Sequence, residues 1–105
     1  MLEKKRYILY KVEATRKISA DEAKHLAYEA LFEFLGEQGT AHARTQFKAF
    51  SEERQEGVVK CSPESVEEVI AALAAKRFWK KEPVALRVQK ISGAIGKLGR
   101  MPRKP

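Results

Sequence analysis

The chain has 105 residues, 44% of them hydrophobic and 33% charged, with a formal net charge of +7. That length holds one domain around a single core, and the composition places the chain apart from disordered and membrane chains. No apolar run approaches the ~20 residues that span a bilayer, and the charged N-terminus precedes a run too short for a secretory signal. The single cysteine, Cys61, excludes an internal disulfide framework and points to a reducing, cytoplasmic setting. The charge is uneven. Residues 76–105 carry ten Lys/Arg against one acid, Glu82, whereas the first 75 carry 11 basic and 13 acidic residues. Clustered cations of this kind attract polyanions through counterion release.

In chain order, Arg6 to Ala14 comes first. Ile8, Tyr10, Val12 and Ala14 alternate with Tyr7, Leu9, Lys11 and Glu13, which predicts a strand with one buried face. Ser19 and Glu22 form a capping-box pattern that opens a helix with Ala23, Leu26, Ala27, Ala30, Leu31, Phe34 and Leu35 at helical spacing. Gly36 and Gly39 are expected to end it. From Thr40 to Phe50 the period returns to two, predicting a second strand with Ala41, Ala43, Thr45, Phe47 and Ala49 on one side. The polar run Ser51 to Gly57 is a turn, and Val58 to Cys61 a short third strand. Ser62-Pro63 starts a second helix that buries Val66, Val69, Ile70 and Leu73 and runs to about Arg77, with Phe78 and Trp79 packed at its end. Val84 to Ile91 is a fourth strand. Residues 94–105 form a basic C-terminal extension, either a short helix and tail or a tail alone.

The order β-α-β-β-α-β is the split βαβ arrangement. It predicts an α+β, ferredoxin-like fold over residues 1–105: a four-stranded antiparallel sheet with two helices on one face. The other face is expected to be open, basic and amide-rich, with His42, Arg44, Gln46 and Lys48 outward on the second strand. Lys60 follows on the third, and Arg87 and Gln89 on the fourth. Sheets that grip single-stranded RNA by stacking place aromatics on their middle strands. Only Tyr7 or Tyr10 offers a ring here, so recognition of RNA shape and phosphates is the expectation rather than base stacking.

No catalytic constellation emerges. His25 lies within the first helix, His42 has no orienting carboxylate nearby, and Cys61 sits in an apolar strand without a histidine neighbour. One cysteine and two separated histidines do not make a zinc site. Glu52, Glu53 and Glu56 read as a solvated turn, and Gly93 to Lys97 lacks the spacing of a phosphate-binding loop. The expected catalytic and metal-ligating sets are therefore empty.

Several segments, taken in order, resemble the archaeal ribonuclease P protein component 2 family. They are Lys5-Arg6-Tyr7-Ile8, Leu35-Gly36-Glu37-Gln38-Gly39-Thr40-Ala41, Gly57-Val58-Val59-Lys60-Cys61, Val66-Glu67-Glu68, and Val88 through Ile95. The resemblance implies a subunit of the ribonucleoprotein that removes 5′ leaders from precursor tRNA, with RNA as the catalyst. It implies contact with ribonuclease P RNA, indirect contact with precursor tRNA, and pairing with ribonuclease P protein component 3. It leaves open a homodimer or a heterotetramer. Magnesium would sit on the RNA, and no cofactor on the protein. Where the family reads Ser-Gly-Thr-Ile-Lys, this chain has Ala94 and Gly96 in place of the Thr and Lys, and Lys97 and Arg100 can substitute. The candidate RNA-binding residues are Arg44, Lys48, Lys60, Arg87, Lys90, Lys97 and Arg100. Two other classes fit the same topology: a protein-interaction module with incidental basic charge, and a small phosphatase-like enzyme, for which no Gly-rich arginine loop lies near the first strand.

Overall fold

A computed structural model describes residues 4–94. The order of elements is β1 (Arg6–Ala14), α1 (Ala20–His42), β2 (Gln46–Ser51), β3 (Glu56–Cys61), a 3₁₀ turn (Pro63–Ser65), α2 (Val66–Ala75), β4 (Phe78–Trp79) and β5 (Glu82–Ser92). The strands form one antiparallel sheet in the order β2-β3-β1-β5-β4. The expected four strands are thus five. Phe78 and Trp79 do not simply close the second helix; they pair with Pro83 and Glu82 as half of a small hairpin. Its turn is Lys80-Lys81, both at positive φ (54° and 67°), where Asn-Gly is the usual chemistry. That mismatch hid the hairpin. Trp79 holds it in place, only 6% exposed in the core, with Lys80 Nζ 4.6 Å above its ring.

The capping box forms as read: Glu22 N–H donates to Ser19 Oγ (3.2 Å) and Ser19 N–H donates to Glu22 Oε1 (3.0 Å). Helix α1 does leave helical geometry at Gly36 (φ 76°, ψ 174°), but it resumes and ends only at His42. Thr40, nearly buried, donates its hydroxyl to the Gly36 carbonyl at 2.8 Å and bridges the kink. Thr40 to His42 are therefore helical, not strand, and β2 begins at Gln46. Alanines alternating with polar residues carry too little hydrophobic contrast to separate the two periods, and alanine favours helix.

A bulge also shifts the second strand. Phe47 pairs with Val59 and Ala49 with Val58, which leaves Lys48 as the extra residue. Phe47 and Phe50 consequently pack against the helix-side core, and Ala49 turns to the opposite face, reversing the expected sides of Ala49 and Phe50. The core unites Ile8, Tyr10 and Val12 of β1 with Val59, Cys61, Val84 and Leu86. Against them lie Leu26, Ala27, Ala30 and Leu31 of α1 and Val69, Ala72 and Leu73 of α2. Gly57 lies against Tyr10. An added Cβ would sit 2.7 Å from the ring's Cζ and hydroxyl, so only glycine fits there.

Charge separates the layers. Helices α1 and α2 and the 3₁₀ turn carry eight acids (Asp21, Glu22, Glu29, Glu33, Glu37, Glu64, Glu67, Glu68) and one base, Lys24. Just past α2, Lys76 is buried and donates to Glu29 (2.6 Å) and Glu33 (2.9 Å), tying α2 to α1. Burial opposes its charge, but those hydrogen bonds outweigh burial and raise its pKa. No helix among the described residues is long and apolar enough to cross a membrane.

Candidate nucleic-acid interface

Strand register builds the sheet face turned away from the helices in three cross-strand rows. The first is Gln46, Lys60, Tyr7 and Ser92; the second is Ala49, Val58, Leu9 and Lys90; the third is Ser51, Glu56, Lys11 and Arg87. The expectation of a wholly open, polar face needs correction. Leu9 (1% exposed) and Val58 (0%) form a second apolar cluster at its centre, with Tyr7 packed against them. The signal was present in the unbroken runs Ile8-Leu9-Tyr10 and Val58-Val59, since a strand buried on both faces loses its alternation.

On either side of that cluster the charges behave differently. In the third row Arg87 Nε donates to Glu13 at 2.7 Å, which holds the guanidinium charged, and Lys11 Nζ donates to the Arg54 carbonyl at 3.0 Å. Glu56, 5% exposed, adds an acid between them. In the first row Lys60 faces outward as expected. Partial burial first, and then the charges of Lys5 and Lys48, lower its pKa below the ordinary lysine value. Lys5, Lys48 and Lys60 thus crowd one corner of the sheet, and among the described residues no carboxylate pairs with any of them. Three mutually repelling ammonium groups would be stabilised by an anion placed among them.

The remaining candidates are scattered. Arg44 lies in the turn after α1 at φ 57°, its N–H donating to the Ala41 carbonyl, and not on a strand. Lys90 faces the Leu9 and Val58 row. Lys97 and Arg100, with the rest of the extension from residue 95, lie outside the described residues. Lys5 was not among the candidates; its place in the Lys5-Arg6-Tyr7 run, one strand from Lys60, was the available clue. His25 and His42 are exposed on α1, and Cys61 is buried with its thiol pKa pushed up to about 11 by desolvation. Among the described residues no three His, Cys, Asp or Glu side chains converge as metal ligands do.

The model of the Rpp14/Pop5 family matches residues 6–101 of this chain. Similar sequences include ribonuclease P protein component 2 of Pyrococcus furiosus, 34% identical over 98 residues that cover 93% of this chain and 82% of that protein. The Thermococcus kodakarensis protein of the same name is 35% identical over 98 residues, with the same coverage. That of Methanocaldococcus jannaschii is 30% identical over 95 residues, covering 90% of this chain and 69% of the relative. Among solved structures, a chain in the cryo-EM structure of yeast ribonuclease MRP superposes with a TM-score of 0.70 at 8% identity, covering 90% of this chain and 77% of that one. At that identity the likeness is one of fold.

Proposed function

The chain belongs to the Rpp14/Pop5 family, and from that premise we propose that it is a protein subunit of ribonuclease P that binds RNA backbone and a partner protein subunit. In this reading it supports a catalytic RNA in removing 5′ leaders from precursor tRNA and supplies no catalytic group itself. Magnesium is held by the RNA. Component 3 is the protein partner, in a homodimer-based or heterotetrameric assembly, and the compartment is the cytoplasm. The split βαβ description of the four long strands belongs to the same proposal.

The observation that carries the RNA half is the corner formed by Lys5, Lys48 and Lys60, where cations gather without carboxylate partners among the described residues and the Lys60 pKa is lowered by burial and then by the charges of Lys5 and Lys48. Phosphates laid across that corner would relieve the repulsion and release counterions, which favours backbone contact over base readout. The test is reconstitution with component 3 and ribonuclease P RNA, with leader cleavage measured at limiting magnesium. A rise in cleavage over RNA alone is expected; no rise overturns the proposal.

A further inference from the structure

The solvent side of α1 carries a feature outside the lysine corner, with Tyr28 packed against the core at its base. Residues Asp21, His25, Tyr28, Phe32 and Glu33 fall on successive turns and line a shallow groove of about 570 Å³ along the helix. Tyr28 and Phe32 stack with ring centroids 6.3 Å apart. Tyr28 is pinned from below, because its hydroxyl accepts the Phe47 N–H of edge strand β2 at 3.0 Å. Phe32 caps this fixed platform and remains 47% exposed. An aromatic held rigid yet half in water is the pattern of a binding anchor, since burying it costs little conformational entropy.

The charge around the groove selects its occupant. Eight acids against one base on the helix layer repel phosphate, so nucleic acid is disfavoured on this side. Asp21 at one end carries no ion pair among the described residues, and Glu29 and Glu33 at the other share a single lysine. We propose that this groove docks a cationic amphipathic helix of another protein, with an apolar side chain seated on Tyr28 and Phe32 and cations reaching Asp21 and the Glu29–Glu33 end. The two acidic ends lie 12 residues apart, about 18 Å along the axis, which matches two to three turns of a helix packed ridge into groove. The inference deepens the protein-partner half of the proposed function and assigns it a surface separate from the lysine corner.

The experiment titrates the isotope-labelled full chain with three probes: a Leu/Lys amphipathic peptide of about 18 residues, its Leu/Glu twin, and a short RNA duplex. The Leu/Lys peptide should shift the amides of Asp21 to Glu33, and the twin should not bind. Phe32→Ser, at a half-exposed position that tolerates it, should weaken the peptide at least about fivefold, and Lys24→Glu should tighten it. Shifts that map elsewhere, an unchanged affinity in Phe32→Ser, RNA shifts on α1, or conversion of a dimer to a monomer by Phe32→Ser each overturn the inference; the last would assign the groove to a second copy of the chain. RNA that shifts no residue at all would count against the RNA-binding proposal alone, leaving the peptide result to stand or fall by itself.

Discussion

The two ends of the sheet face away from the helices both carry cations, but those cations meet different partners. At the end built by Lys11, Glu56, Arg87 and Glu13, cations meet acids or a carbonyl within the fold. At the end built by Lys5, Lys48 and Lys60, they meet one another. A lysine count along the sequence cannot separate these cases. What matters for an anion is the charge left unsatisfied after folding, and that depends on which residues cross-strand pairing brings together.

The comparison rests on the apolar floor between the two ends, and breaking that floor has the largest expected effect. Leu9→Ala should cost about 2–4 kcal/mol in urea unfolding, as for other fully buried leucines. A loss under about 1 kcal/mol would mean the centre of this face is not packed. Next comes the unpaired end. The triple substitution Lys5→Ala, Lys48→Ala, Lys60→Ala should flatten the slope of log affinity for RNA against log salt by about two to three units. An unchanged slope would assign that corner to something other than phosphate. The paired end should respond in the opposite sense. Arg87→Ala alone should change the slope by less than about half a unit, whereas Glu13→Ala, which releases Arg87, should steepen it by up to about one. Equal losses for Arg87→Ala and Lys60→Ala would erase the distinction between the two ends.

The smallest effect is a pH dependence. Because the Lys60 pKa is lower in the folded chain than the ordinary 10.5, the unfolded chain binds more protons between those two values. Stability should therefore rise with pH across that window. Lys60→Met should remove this rise, as seen in melting curves taken in steps through the alkaline range. Above that window Lys76 pulls the other way: its raised pKa stabilises the fold fully below 10.5, and that contribution is lost as pH climbs through the folded value. Lys60→Met should therefore leave the decline above 10.5 in place.

Local signals were legible where one physical preference acted alone. The extent of β1, the capping box of α1, Pro63 opening the turn into α2 and the alternation of Val84, Leu86 and Val88 all read correctly from their own few residues. The misreadings fall where something other than the local period decided the outcome, whether a bond across a kink or a partner elsewhere in the fold. Residues 37–42 stay helical because Thr40 bridges the Gly36 kink. Lys48 bulges because Phe47 and Ala49 are held by adjacent residues of β3. Lys80 and Lys81 accept left-handed geometry because Trp79 is buried beneath their turn. In the candidate site, Lys60 was legible as outward-facing, but the loss of Arg87 to Glu13, 74 residues away in sequence, was not.

The sequence by itself determined the extent of β1, the capped start of α1, most of the apolar residues that meet on the helix side, the acidic character of the helices and the ordered segments that carry the family resemblance. These follow from short-range periodicity, capping and composition. Only the tertiary structure decided the number of strands, the apolar floor beneath the second face and which lysines are left without a carboxylate. Each of those depends on register and bulges, and a shift of one residue in register moves a side chain to the opposite face.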